Sequence, residues 1–360
     1  MRPIAPSPDA VANELLRLVL EDRGGGRERP LAEYQALFPG HEELVARELA
    51  GAGADSGAVD GELFAGYRLL RPIGRGGQGQ VWLAEDPRLG RSVALKVLDG
   101  LALSPDALAR FRREVLIASR LDDPGICAVY DAGEERGVPY LAMRYVPGRT
   151  LAELLEAARE VGARGSSALA LPAADVDEGC RGAALEVARV LRTIERLARS
   201  LHAAHERDVV HRDVKPSNVV ICDDGAPVLL DFGLARVQDH ALGTLTRSGD
   251  VFGTPAYMAP EQIAGHAADR RADVWALGVL LHECLTLVRP FAAPTREALY
   301  AAILTRPAPD PRERNPQVGA DLALVVETAL EKDLSRRYAS ALELADELRR
   351  VRRGEPVRAR

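Results

Sequence analysis

From Tyr67 to Val146 the chain is made of short β-like runs, and after Gly148 it is made mostly of helices. That order constrains the fold more than any other feature. The runs YRLLRPIG, QVWLAED, SVALKVL, CAVYDAG and PYLAMRYV carry β-branched and aromatic residues between turn residues, the pattern of strands in a half-buried sheet. One helix interrupts them over 104–121. It has Ser104 as N-cap, Pro105 in its first turn, and Leu108, Phe111, Val115 and Ala118 at helical spacing. Further on, Val187, Leu191, Ile194, Leu197 and Leu201 mark a long amphipathic helix ending near Arg207. DVWALGVLLHECL (273–285) is apolar nearly all round, which predicts a buried helix. The expected fold is therefore α+β and two-lobed, a small β-rich lobe with one helix followed by a larger, mostly α-helical lobe. Ligands often bind between two such lobes.

Three segments stand apart. In residues 1–61, Asp9 can cap a helix with Val11, Leu15 and Leu18 on one face, stopped by Gly24-Gly25-Gly26. Leu31, Tyr34 and Leu37, then Leu44, Val45 and Leu49, predict two more short helices broken at Pro39-Gly40. GAGADSGAVDG (51–61) has linker composition. Residues 159–183 are rich in Ala, Gly and Ser, with Pro172, and read as a surface insertion or mobile loop. The arginine-rich tail LRRVRRGEPVRAR (348–360) reads first as a helix C-terminus favoured by its dipole, and second as a basic patch for a membrane surface or partner. The expected organisation is a helical appendage over 1–50, a linker over 51–66, a main domain over 67–353 divided at 146/147, and a basic tail over 354–360.

Bulk properties exclude several classes. A net charge of −6 does not suit a nucleic-acid binder. No run of 18 apolar residues is present to span a membrane, and MRPIAPSPDA lacks the apolar stretch of a signal peptide. Cys127, Cys180, Cys222 and Cys284 are far apart and form no CxxC pair, so neither a zinc site nor a disulfide framework is indicated. The expected setting is reducing and cytoplasmic.

Five stretches carry chemistry. IGRGGQGQVWLA (73–84) holds Gly74, Gly76, Gly79 and Val81 between two strand-like runs. Glycines let backbone N–H groups approach phosphates closely. A dinucleotide fingerprint would need a helix after the glycines, and VWLAED is strand-like, so that reading loses. VALK (93–96) puts Lys96 in a strand, and a lysine directed at phosphates needs a carboxylate to hold it, for which Glu114 in FRREV is the candidate. HRDVKPSN (211–218) crowds His211, Arg212, Asp213, Lys215 and Asn218 between apolar runs. LLDFGLAR (229–236) offers Asp231, a hard oxygen donor suited to Mg²⁺, with Asn218 as a second ligand. GTPAYMAPEQ (253–262) is Pro-rich. Singly, each also fits a structural role: a hairpin turn, a solvent-facing lysine, an exposed helix glutamate or a charged surface loop.

In this order and at these spacings, the glycine loop, VALK, helix glutamate, HRDVKPSN, DFG and APE resemble the eukaryotic-type serine/threonine protein kinase family over about 67–350. The Ala-, Arg- and Gly-rich composition looks like its bacterial members. The resemblance implies transfer of the γ-phosphoryl group of ATP to Ser/Thr hydroxyls of protein substrates, with Mg²⁺, or Mn²⁺ in its place. It implies that Gly74, Arg75, Gly76, Gly77, Gln78 and Gly79 cover the phosphates, and that Lys96 contacts them and pairs with Glu114. Val81 and Ala94 would line the adenine pocket, with Met143 as gatekeeper and Arg144 to Val146 as hinge. Asp213 would orient the hydroxyl and accept its proton, Lys215 would steady the transferring phosphoryl, and Asn218 and Asp231 would hold the metal. His211 is a plausible base from chemistry alone, whereas the resemblance gives it a structural role supporting the loop and Phe232. Thr254 would floor the substrate site, and Glu261 would pair with Arg337. Arg212 would bind a phosphate on the activation segment (234–258), which contains Thr244, Thr246 and Ser248; a transient homodimer would serve autophosphorylation. The chain departs from the family at Arg144, where the hinge often begins with Glu. Two other readings stay open: a pseudokinase scaffold, and a docking module built on the 1–61 helices.

Overall fold

The computed structural model describes residues 29–42, 45–46, 63–76, 79–98, 111, 113, 115–116, 118–135, 137–162, 169, 171–172, 183–231 and 254–359. The chain divides into two compact units, Met1–Leu63 and Phe64–Arg360. In the first, helix α1 (Leu31–Leu37) ends before Pro39-Gly40 as the sequence predicts, and Gly40 takes φ +85°, which a side chain would resist. Residues 42, 45 and 46 are helical, with Tyr34 and Val45 buried. The Asp9 helix, Leu44 and Leu49 lie outside the described residues.

All five expected strand runs are strands. The strands β1 (Leu63–Phe64), β2 (Tyr67–Gly76), β3 (Gly79–Asp86), β4 (Arg91–Val97), β5 (Val129–Glu135) and β6 (Val138–Arg144) form one sheet in the order β1-β2-β3-β4-β6-β5. Alternation along β3 and the buried second half of β4 fix the register, which places Lys96 opposite Val81 on one side and Leu141 on the other. The described residues among 111–118 are helical and bury Phe111, Val115 and Ala118, the stripe the spacing predicts. Leu108 lies outside the described residues.

The second lobe is mostly helical. Its helices are α2 (Leu151–Gly162), α3 (Ala183–His205), α4 (Pro260–Ile263), α5 (Arg271–Thr286), α6 (Arg296–Thr305), α7 (Ala320–Ala329) and α8 (Ala341–Arg353). A small sheet of β7 (Arg149–Thr150), β8 (Val219–Ile221) and β9 (Pro227–Leu229) follows, and Leu229 at its end bridges to Ile126, just before β5. Helix α5 is the axis of this core: every residue from Ala272 to Thr286 is buried. Gly278 permits close approach of α7, since an added Cβ would sit 2.9 Å from Ala329 Cβ.

One expectation changes, and the first reading of the tail holds. The segment 159–183 is not wholly a surface loop: α2 continues to Gly162, and Leu169 and Leu171 are buried in the core. Leu169 N–H donates to Cys284 O (3.4 Å) and Arg189 donates to Leu171 O (3.2 Å), so apolar residues in a small-residue segment are stitched to α5 and α3. The tail arginines face acids of the chain itself. Arg349 meets Asp346 at 3.4 Å, Arg350 meets Glu347 at 3.3 Å, Arg352 meets Glu195 at 3.2 Å and Arg353 meets Glu355 at 3.9 Å. With Gly354 at φ +66° as C-cap, this is a capped helix end rather than an open basic patch. Among the described residues no helix is long and apolar enough to cross a membrane.

Candidate active site

The glycine stretch forms the β2–β3 hairpin. Gly74 pairs with Val81, Arg75 with Gln80 and Gly76 with Gly79, and Gly79 takes φ +136°. A strand therefore follows the glycines, as the rejection of a dinucleotide fingerprint requires. Gly77 and Gln78 lie outside the described residues.

Below the hairpin, charged residues from distant parts of the chain converge. Lys96, 6% exposed on β4, donates from Nζ to Asp231 Oδ2 at 2.7 Å. Asp231 follows β9 by two residues and sits at φ +58°, a left-handed conformation that costs a non-glycine residue on the order of 1–3 kcal/mol. The surrounding structure over-determines it: Leu230 N–H, one residue earlier, donates to Asn218 O at 2.8 Å. Glu114 lies outside the described residues, as do Phe232, Thr244, Thr246 and Ser248. Thr254 begins a 3₁₀ turn, Thr254–Tyr257.

The HRDVKPSN stretch folds around Asp213. Lys215 Nζ donates to Asp213 Oδ2 at 2.7 Å. Asn218, held buried by a 3₁₀ turn that Pro216 starts, donates from Nδ2 to Asp213 O at 2.8 Å and to Asp213 Oδ2 at 3.1 Å. His211 is fully buried, and both of its ring nitrogens are engaged by backbone. Nε2 lies 2.8 Å from Leu230 O, and Nδ1 accepts from Asp213 N–H at 3.3 Å. An Nε2–H tautomer satisfies both contacts, which suits a loop support and leaves no lone pair for a substrate proton.

Beneath the loop is Asp273, a residue the motif reading passed over. Its carboxylate is fully buried and accepts from His205 Nε2 (2.8 Å), His211 N–H (2.8 Å) and Arg212 N–H (2.7 Å). Burial alone would raise its pKa; the hydrogen bonds from the His205 ring and the His211 backbone outweigh that and hold it below the usual 3.8. The carboxylate pins two successive backbone N–H groups, with Arg212 at φ +65°. The only signal in the sequence was an acid at the start of an apolar helix.

An apolar cluster adjoins Lys96, whose partner on β3 is Val81. Ala94 and Met143 are paired across β4 and β6 and pack with Val81, Val146 and Val228 in one hydrophobic cluster. Val228 was not singled out from sequence. Glu261 and Arg337 form a buried two-point ion pair at 2.8 and 3.1 Å. The platform after the 3₁₀ turn is held by Tyr257, whose hydroxyl donates to Glu283 Oε2; Arg159 donates to Glu283 Oε1.

The residues present fit a metal-bound nucleoside triphosphate. Asp213 and Asp231 are carboxylates, Asn218 keeps its amide oxygen, Lys96 is the adjacent cation, and the neighbouring cluster is apolar, as a base requires.

The comparisons agree with this geometry. The family model for the protein kinase domain matches residues 67–348, and the chain belongs to that family. A probable serine/threonine-protein kinase of Streptomyces coelicolor is 36% identical over 298 residues, 81% of this chain and 41% of its own length. Serine/threonine-protein kinase PknJ of Mycobacterium tuberculosis is 38% identical, over 79% of this chain and 45% of its own. This chain thus spans less than half the length of these relatives. The crystal structure of the Mycobacterium tuberculosis PknI kinase domain is similar with a TM-score of 0.61 and 30% identity, covering 81% of this chain and 98% of that one.

Proposed function

We propose that the chain is an ATP-dependent serine/threonine protein kinase, with 67–353 as its catalytic domain, 1–50 as a helical appendage that docks partners, and 51–66 as the linker. The observation that carries the reading is the convergence of two charged sets: Lys96 with Asp231, and Asp213 with Lys215 and Asn218. Phosphoryl transfer needs little covalent chemistry from the protein, so positioning and charge neutralisation dominate.

In this reading, Val81, Ala94, Met143 and Val146 hold the adenine, with the backbone of Arg144 at the hinge. Gly74, Arg75, Gly76, Gly77, Gln78 and Gly79 cover the phosphates. Lys96 binds the α- and β-phosphates, and Glu114 holds it. Asn218 and Asp231 hold Mg²⁺, which neutralises phosphate charge when bound. Asp213 orients the substrate hydroxyl and takes its proton, and Lys215 steadies the transferring group. Arg212 receives an activation-segment phosphate, placed by autophosphorylation in a transient homodimer. The setting is cytoplasmic signalling on protein substrates.

The test is phosphorylation of a generic protein with γ-labelled ATP, comparing wild type with Asp213→Ala, and mass-spectrometric mapping of the wild-type product. Expected are a fall in labelling of about 10²-fold or more and phosphate between residues 240 and 254. Equal labelling of both proteins would overturn the assignment of Asp213. An active wild type carrying no phosphate in that segment would overturn the autophosphorylation step.

A further inference from the structure

Arg144, the hinge residue at which the chain departs from its family, ends β6 as the chain leaves the sheet. Its N–H donates to Ala128 O at 2.8 Å, and its carbonyl accepts from the Cys127 thiol at 3.3 Å. The side chain runs along a neighbouring stretch of chain, where Nη2 donates to Pro124 O at 3.1 Å and to Ile126 O at 3.2 Å.

That neighbouring stretch is itself fixed to the helical lobe. Ser200 of α3 donates to Asp123 Oδ1 at 2.7 Å, and the Gly125 N–H reaches the same oxygen at 2.9 Å. Leu229 N–H donates to Gly125 O and Cys127 N–H donates to Leu229 O, both at 2.8 Å. The fit is close: a Cβ on Gly125 would sit 2.2 Å from Ser200 Oγ. Two stretches therefore run along the boundary of the lobes, 123–128 and 144–148. The first is anchored to α3 and β9, and the guanidinium ties the second to the first.

We infer that Arg144 is a positioning residue, a clip that fixes the nucleotide-binding edge before the nucleotide arrives. The inference rests on the nucleotide-binding reading above. Arg144 is flanked by Met143 and is two residues from Val146, both in the apolar cluster proposed to hold the base. With the clip closed, binding does not bear the entropy of ordering that edge. Arginine suits the task because its planar fork presents several donors from a delocalised charge; lysine offers a compact charge on a flexible stem and restores only part of the bridge.

The experiment compares wild type, Arg144→Met and Arg144→Lys in the full chain by two readouts. The first is amide hydrogen exchange of residues 125–128 without nucleotide, which is expected to speed up on the order of tenfold in Arg144→Met and less in Arg144→Lys. The second is nucleotide affinity and kinetics. The Kd for MgADP and the KM for ATP are expected to rise roughly three- to tenfold in Arg144→Met, with kcat and the KM for protein substrate changed less than about twofold. If Arg144→Met does not fold, Arg144→Lys carries the same comparison. Unchanged exchange at 125–128 overturns the clip; faster exchange with unchanged MgADP affinity overturns its role in nucleotide binding. A wild type that binds no MgADP overturns the proposed function instead, and the exchange readout still decides whether the clip exists.

Discussion

Replacing Asp273 with Asn keeps the volume and removes the charge beneath the catalytic loop. The carboxylate accepts three hydrogen bonds, from His205 Nε2 and the N–H groups of His211 and Arg212. The amide oxygen of Asn can stand at the Oδ2 position, which serves both His205 Nε2 and the His211 N–H. Each then goes from a charged to a neutral acceptor, which forfeits roughly 0.5–1.5 kcal/mol. The Asn NH₂ then stands at the Oδ1 position and faces the Arg212 N–H, which leaves that donor unsatisfied at about 1–3 kcal/mol. The total is about 2–6 kcal/mol. At about 2–4 °C per kcal/mol for a domain of this scale, the thermal midpoint of Asp273→Asn should fall by roughly 4–24 °C. Slackened anchoring of residues 211–212, with Arg212 free to leave its left-handed backbone, should lower kcat by more than tenfold while the KM for ATP changes little. The pH dependence has a definite sign. Because the folded pKa of Asp273 is depressed, its stabilisation is fully present above the unfolded value of 3.8 and is lost as pH falls through the lower folded value. The gap between wild type and variant should therefore be constant from neutral pH to about pH 5 and shrink only below pH 4. A midpoint within 2 °C of wild type at pH 7, measured by calorimetry, would refute the reasoning.

Two further outcomes are expected. In Tyr257→Phe, the buried Glu283 loses one donor and keeps Arg159, at a cost of about 1–3 kcal/mol in urea unfolding. Burial, then the Glu283 charge, raises the Tyr257 pKa above 10.0, so its contribution is complete below pH 10.0 and is lost as pH rises beyond it; the wild-type urea midpoint should fall more steeply than the variant's above that pH, and equal slopes would count against the contact. Glu261→Gln leaves buried Arg337 with neutral acceptors alone, the Gln amide oxygen, Glu331 O at 2.8 Å and Arg271 O at 3.0 Å; a loss of about 3–5 kcal/mol is expected, and unchanged thermal stability would show that the pair is energetically neutral.

Much of the fold was legible in the sequence because the relevant forces are local. Alternation and turn residues located every strand from Tyr67 to Arg144, and an unbroken apolar face located Arg271–Thr286. These patterns arise from sterics and periodicity within a few residues, so the sequence determined which elements form and in what order. The motif order likewise determined the family before any distance was known. Local composition misled over 159–183, because Leu169 and Leu171 are two apolar residues whose burial depends on what α3 and α5 place above them.

Apart from Glu261 with Arg337, which the resemblance implied, tertiary structure alone decided the partners. Lys96 and Asp231 are 135 positions apart, His205 and Asp273 are 68, and Tyr257 and Glu283 are 26. Nothing in the DVWALG stretch marks Asp273 as the anchor of HRDVKPSN. Nor does the residue type at 144 show that its guanidinium crosses to the carbonyls of Pro124 and Ile126. Hydrogen bonds act over about 3 Å of space whatever the separation along the chain, and only the packed core brings such groups within that range.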